Sequence, residues 1–201
     1  MVCNWPAMDC CSLWTTPPRK RSSWLAAARR WDGDVELAAA LRTSAGDTAA
    51  SALIPLPVDL EELADVLDGA PGKGDGRLDR LTGDVWPAAA IDYALDARDE
   101  AIDIDDPDRW LVIVPEGPRA GYDDMTSFIA TLSDSTLIDR LERAVDGRGA
   151  FHRFRDTLAA TPKEFTRWHR FADDRQRGRA RAWLADHGFQ PPPAPTRTAP
   201  A

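Results

Sequence analysis

The stretch Asp146-Gly147-Arg148-Gly149-Ala150-Phe151-His152-Arg153-Phe154-Arg155-Asp156 sets two closely spaced glycines before an alternation of aromatic and cationic side chains. Amphipathic segments flank it. Upstream, Leu137, Ile138, Leu141 and Val145 recur at helical spacing, with Ser133 or Asp134 placed to cap them. Gly147 can end that helix in the left-handed conformation, and Gly149 frees the backbone to enter another over 151–158. On the second helix Phe151, Phe154 and Leu158 share a side. The stretch therefore reads as a helix reversal, with Gly147 and Gly149 as its hinge and Phe151 and Phe154 as its core anchor. His152, Arg153 and Arg155 are left around the remaining faces.

Working outward, Thr161-Pro162-Lys163-Glu164 is a helix start: Thr161 at the cap, Pro162 in the first turn, Glu164 reaching back. Phe165, Trp168 and Phe171 follow, and the apolar pattern predicts a break near Ala172. A further helix over 174–186 then carries Ala180, Trp183 and Leu184 and stops at Gly188. On the N-terminal side, Met125, Phe128, Ile129 and Leu132 line one face of a helix over 122–132. Asp123 and Asp124 fall in its first turn, where the helix dipole favours them.

Before this bundle, Asp59 can cap a short helix with Glu62 three residues on, and Leu60, Leu63, Ala64 and Leu67 form its stripe. Residues 77–86 read as a β-hairpin turning at Gly83. A helix over 88–100 is expected next, then a charged turn over 103–108. The nearly continuous apolar run Trp110-Leu111-Val112-Ile113-Val114 is the expected central strand. The fold class is α+β: a small antiparallel sheet, hairpin plus one strand, packed against a C-terminal helical bundle.

The chain has 201 residues, enough for one core and too few for two large ones. Its 43% hydrophobic and 29% charged content argues against wholesale disorder. Residues 53–189 are expected to form a single α+β domain. Residues 1–52 are an extension with possible short helices over 24–30 and 35–42, the second capped by Asp34, joined onward by a linker over 45–51. Residues 190–201 are a proline-rich, disordered tail. No apolar run is long enough to span a membrane, and the first residues lack the pattern of a secretory leader, so the expected compartment is the cytoplasm. Cys3, Cys10 and Cys11 all lie near the start without metal-binding spacing and read as free thiols.

The net charge of −8 is segregated. Residues 58–110 hold 16 acidic against 5 basic side chains, whereas residues 139–183 hold 7 acidic against 12 basic. The halves attract each other, and any basic surface left over attracts an anionic partner. The glycine-rich loop over 69–76 lacks the Ser or Thr of a phosphate-binding loop and the ligand spacing of a calcium loop, so it reads as a surface loop. No metal or cofactor motif appears.

Three functional readings follow. The first is a non-enzymatic interaction or regulatory domain with an acidic N-terminal half and an Arg-rich helical half, in which Arg148, Arg153 and Arg155 pair with Asp139, Glu142, Asp146 and the acidic half. The second is nucleic-acid binding, with Arg148, Arg153, Arg155 and His152 at the reversal and Arg175, Arg177, Arg179 and Arg181 on the last helix gripping phosphates. The third is a small hydrolase or nucleotide-processing enzyme using His152 and His169 as acid or base, oriented by Asp123, Asp124, Asp173 or Asp174. No spacing requires those groups to converge. The partner is accordingly a protein or a nucleic acid. Gly147, Gly149, Phe151, Phe154, Trp168 and Trp183 are assigned structural roles.

Over residues 58–189 the order of features resembles a known family. They are the short acidic helix, the hairpin Leu-Asp-Arg-Leu-Thr-Gly-Asp-Val-Trp, the strand at Trp110, the segment Tyr122-Asp-Asp-Met-x-x-Phe-Ile, the Gly147-Arg-Gly-Ala-Phe-His-Arg-Phe-Arg-Asp stretch, and the closing Trp168-x-x-Phe and Ala182-Trp183-Leu184. Together they look like the bacterial uncharacterised protein family 0158 of the UPF series. The resemblance implies no activity, cofactor or catalytic residue.

Overall fold

The computed structural model describes residues 29–44, 53–70, 74–96 and 103–192. The cysteines, the expected helix over 24–30 save its last two residues, the linker over 45–51 and the tail from 193 onward lie outside them. Described elements run α1 (Asp34–Ser44), β1 (Ile54–Pro55), α2 (Leu60–Leu67), β2 (Gly76–Asp79), β3 (Val85–Trp86), α3 (Ala88–Asp96), β4 (Trp110–Ile113), α4 (Arg119–Ile129), α5 (Ser135–Val145), α6 (Ala150–Ala159), α7 (Pro162–Asp186) and β5 (Phe189–Gln190). This is an α+β architecture. Contacts divide it into two units, residues 56–180 and residues 29–55 with 181–192.

In the smaller unit, β1 and β5 pair in parallel, Ile54 opposite Phe189 and Pro55 opposite Gln190. Asp34, buried in the first turn of α1, accepts from Arg29 at 2.7 Å and from the Trp31 backbone N–H at 2.8 Å. Trp183 stacks on His187 with ring centroids 4.1 Å apart.

In the larger unit, the sheet order is β3-β2-β4, all antiparallel. The apolar run at Trp110 is thus an edge strand and not the centre of the sheet. Trp110 and Ile113 are buried, but Val112 is open to solvent. The hairpin turns as its residues require: Gly83 sits at φ 84, and a Cβ there would meet the Pro57 carbonyl oxygen at 2.6 Å. Asp79 locks the turn, accepting from the Leu81 and Thr82 backbone N–H groups and, from across the sheet, twice from Arg109 at 2.8 and 3.0 Å.

Burial acts to raise the Asp79 pKa, but Arg109 and the two backbone donors outweigh it and hold the carboxyl below its ordinary value of 3.8. A carboxylate depressed in the folded state stabilises the fold above its unfolded pKa and loses that contribution as pH falls through the folded value. Asp79→Asn is therefore expected to cost about 1–3 kcal/mol at neutral pH. In a urea-unfolding series the gap between wild type and variant should stay constant down to the ordinary carboxylate range and shrink only below it. A gap that narrows as pH rises from there would overturn this account.

The bundle comprises α4 to α7. Asp134 caps α5, accepting from Thr136 and Leu137. Met125, Phe128, Ile129, Leu137, Leu141, Ala150, Phe154 and Leu158 form the core, with Phe165, Trp168 and Phe171 of α7 packed on it. Rings meet edge to face: Phe128 with Trp168 at 5.3 Å, and Phe154 with Trp168 at 4.8 Å. Two expectations differ from what is found. The predicted break near Ala172 is absent, and α7 runs unbroken for 25 residues. Helix α4 begins at Arg119, so Asp124 lies beyond the first turn and is 2% exposed.

Candidate functional site

The helix reversal forms where its glycines allow, with Gly147 at φ 76 and Gly149 at φ 79. Its core stripe is Ala150, Phe154 and Leu158. Phe151 is 44% exposed, so it does not anchor the core as expected. Once the helix begins at Ala150, the i, i+4, i+8 row takes the buried side and turns residue 151 toward its margin. There its ring meets Tyr122 edge to face at 5.4 Å and lies close over Gly121.

Arg153 folds back onto the end of α5. Its Nε donates to the Ala144 carbonyl at 3.2 Å and its terminal nitrogens to the carbonyls of Asp146 and Arg148. A guanidinium there satisfies carbonyls that the ending helix leaves without donors. Its acceptors are thus backbone carbonyls, not the Asp139, Glu142 or Asp146 carboxylates named in the first reading. Arg148 and Arg155 are exposed. His152 contacts Arg155 and Asp156, both on its own helix, and His169 packs on Phe165 of its own helix. The structure does not join either histidine to Asp123, Asp124, Asp173 or Asp174 as an acid–base pair.

The charge neutralisation lies instead on α7. Arg175 Nε donates to Asp124 at 2.7 Å, and Arg179 Nη1 to the other oxygen of Asp124 at 2.9 Å. Arg179 Nη2 also reaches both oxygens of Asp68, at 3.1 and 3.2 Å, and Gln176 donates to Asp68 at 2.8 Å. Arg177 pairs with Glu61. Arg181 is half-buried in the smaller unit.

Burial acts to lower the Arg179 pKa, but Asp124 and Asp68 outweigh it and the net shift is upward, so the guanidinium stays charged throughout the accessible pH range. Arg175 and Arg179 stand one turn apart and continue the face that carries Trp168 and Phe171. The buried stripe of α7 thus changes from aromatic to cationic without the helix ending. Asp68 and Asp124, which make this possible, escape a reading by sequence. The available signal was the i, i+4 pair of arginines in register with the aromatic stripe.

A second feature lies at α2. An open cleft of about 430 Å³ is walled by Val66, Val85, Pro87, Ala88 and Pro115, with Glu62 and Asp65 at its lip. Among the described residues, no group of histidine, cysteine or carboxylate side chains is arranged to hold a metal ion. The cleft sets the Glu62 and Asp65 carboxylates beside apolar walls.

A family model described as Uncharacterised protein family (UPF0158) matches residues 53–194. A UPF0158 protein of Pseudomonas aeruginosa is 32% identical over 139 residues, which cover 68% of this chain and 87% of that protein. No solved structure matches.

Proposed function

The chain belongs to the uncharacterised protein family UPF0158, and from its own geometry we propose that it is a non-enzymatic interaction domain presenting its acidic half, rather than its arginine helix, to a protein partner. One observation carries this reading: Arg175, Arg177 and Arg179 are each held by a carboxylate of the same unit. A phosphate seeking Arg175 or Arg179 would have to displace Asp124, leaving a buried carboxylate unpaired. Glu62 and Asp65, by contrast, stand exposed beside an apolar cleft. The same proposal takes residues 53–189 as the functional domain, supported by the family match, and places it in the cytoplasm. No described helix is long and apolar enough to cross a membrane.

Fluorescence anisotropy with single- and double-stranded DNA and RNA at low salt tests the choice. No binding is expected, and Arg175→Glu with Arg179→Glu should lower stability while leaving that result unchanged. Binding that weakens steeply with salt and disappears in Arg148→Glu with Arg155→Glu, two exposed positions, would overturn the proposal in favour of nucleic acid.

A further inference from the structure

We infer that the cleft between α2 and the β3–α3 corner is a docking groove for an extended peptide segment of a partner protein that carries an aliphatic side chain next to a lysine or arginine. This rests on the interaction-domain reading and specifies its surface and ligand chemistry.

Helix α2 has two working faces. Leu63, Ala64 and Leu67 are buried on one. Glu62, Asp65 and Val66, at i, i+3 and i+4, project from another side and, with Gly69 beyond the end of the helix, line the cleft. Val66 is therefore an apolar residue on what would otherwise be the polar face, and the structure gives it a wall to complete. Gly76 accommodates it: a Cβ there would come within 2.6 Å of Val66 Cγ1. Gly74, at φ 94, likewise brings the loop backbone against α3, where a Cβ would meet that of Ala88 at 2.8 Å.

The walls are built from valine, alanine and proline, side chains with little rotamer freedom to lose when a ligand enters. A volume of about 430 Å³ falls within the range of small-ligand sites. The opposite wall includes Val85 of β3, an edge strand whose outer side has no strand partner among the described residues. That favours an extended chain over a compact small amine, since a peptide can follow an exposed edge while its side chain fills the groove.

Charge selects the ligand. Glu62 and Asp65 lie three residues apart on one helix face, both exposed, and neither is ion-paired to a described residue. Among the described residues, none that lines the cleft is basic. An aliphatic group can enter between Val66 and Pro87 while an adjacent cation meets the two carboxylates at the lip. The complementarity orients the segment and excludes acidic ones.

The test is a random-peptide display selection on the full chain, with the enriched peptides mapped by amide chemical shifts. Peptides joining an aliphatic residue to lysine or arginine are expected, shifting Val66, Val85 and Ala88. Their affinity should fall by about tenfold or more in Glu62→Lys with Asp65→Lys, and in Ala89→Arg, an exposed helix position on the apolar side. Basic peptides that shift other acidic sites, such as Asp92 or Asp105, overturn the groove while leaving the acidic-half reading in place. Failure to enrich any basic peptide overturns the inference outright. If that failure comes with salt-sensitive nucleic-acid binding, the interaction-domain reading falls with it.

Discussion

Asp124→Ala should destabilise the chain by about 3–5 kcal/mol, because it removes the carboxylate shared by two arginines and leaves their charges enclosed. The side chains of Asp124, Arg175 and Arg179 are 3%, 15% and 11% exposed, so water replaces little of the lost attraction. Arg179 retains Asp68, whose side chain is 24% exposed, but Arg175 loses the carboxylate its Nε holds. Chemical unfolding monitored by tryptophan fluorescence measures the loss. A variant that replaces the cluster with apolar residues, Asp124→Leu with Arg175→Met and Arg179→Met, should recover most of it. Desolvating a buried ion pair cancels much of its attraction, so the pair matters chiefly because half of it cannot be left behind. A loss below about 1 kcal/mol for Asp124→Ala would place the cluster in the class of solvated surface pairs and sink the argument.

Phe128→Ala is expected to cost about 3–5 kcal/mol as well, by a different route. Phe128 is fully buried, and its ring meets Phe154, Trp168 and Phe171 at centroid separations of 6.4, 5.3 and 5.5 Å. Truncation removes the ring that α4 contributes to contacts with both α6 and α7, and leaves a cavity between aromatic walls that cannot collapse to fill it. Phe128→Leu should cost less because it retains most of the volume, and the difference between the two variants reports the cavity. Equal losses would show that the edge-to-face geometry, and not the filled volume, is what the position supplies.

These two sites differ in how far they could be read from the chain itself. Phe128 announces its burial through Met125, Ile129 and Leu132, its neighbours at helical spacing. Asp124 gives no such sign: beside Asp123 near a predicted helix start, it reads as a solvated dipole partner. Its partner Arg175 lies 51 residues away, and the Arg179–Asp68 contact spans 111. The predicted break in α7 has the same origin. Hydrophobic periodicity stops after Phe171, and a rule that equates buried with apolar ends the helix there. The backbone continues because carboxylates from outside α7 make its cationic stripe buriable.

Phe151 and the Trp110 run show a related limit. Membership of an apolar pattern did not say whether Phe151 would lie at the centre or the margin of its helix face. Nor did an apolar run say whether its strand would be covered on both sides. The cleft at α2 was not read from the sequence, where residues 69–76 stood only as a surface loop.

What the sequence determined by itself is the α+β class and a set of local devices: the Asp59 cap, a cap at Ser133 or Asp134, the Gly83 turn, and the Gly147–Gly149 reversal. Each depends on residues within a turn or two of one another, where φ preference and side-chain reach decide the outcome. Only the tertiary structure decided that the arginines of α7 serve Asp68, Asp124 and Glu61, that β4 lies at an edge, and that Glu62 and Asp65 remain open beside a cleft. Those outcomes depend on which distant surfaces meet. Desolvation and charge pairing then choose among contacts that composition alone leaves equivalent.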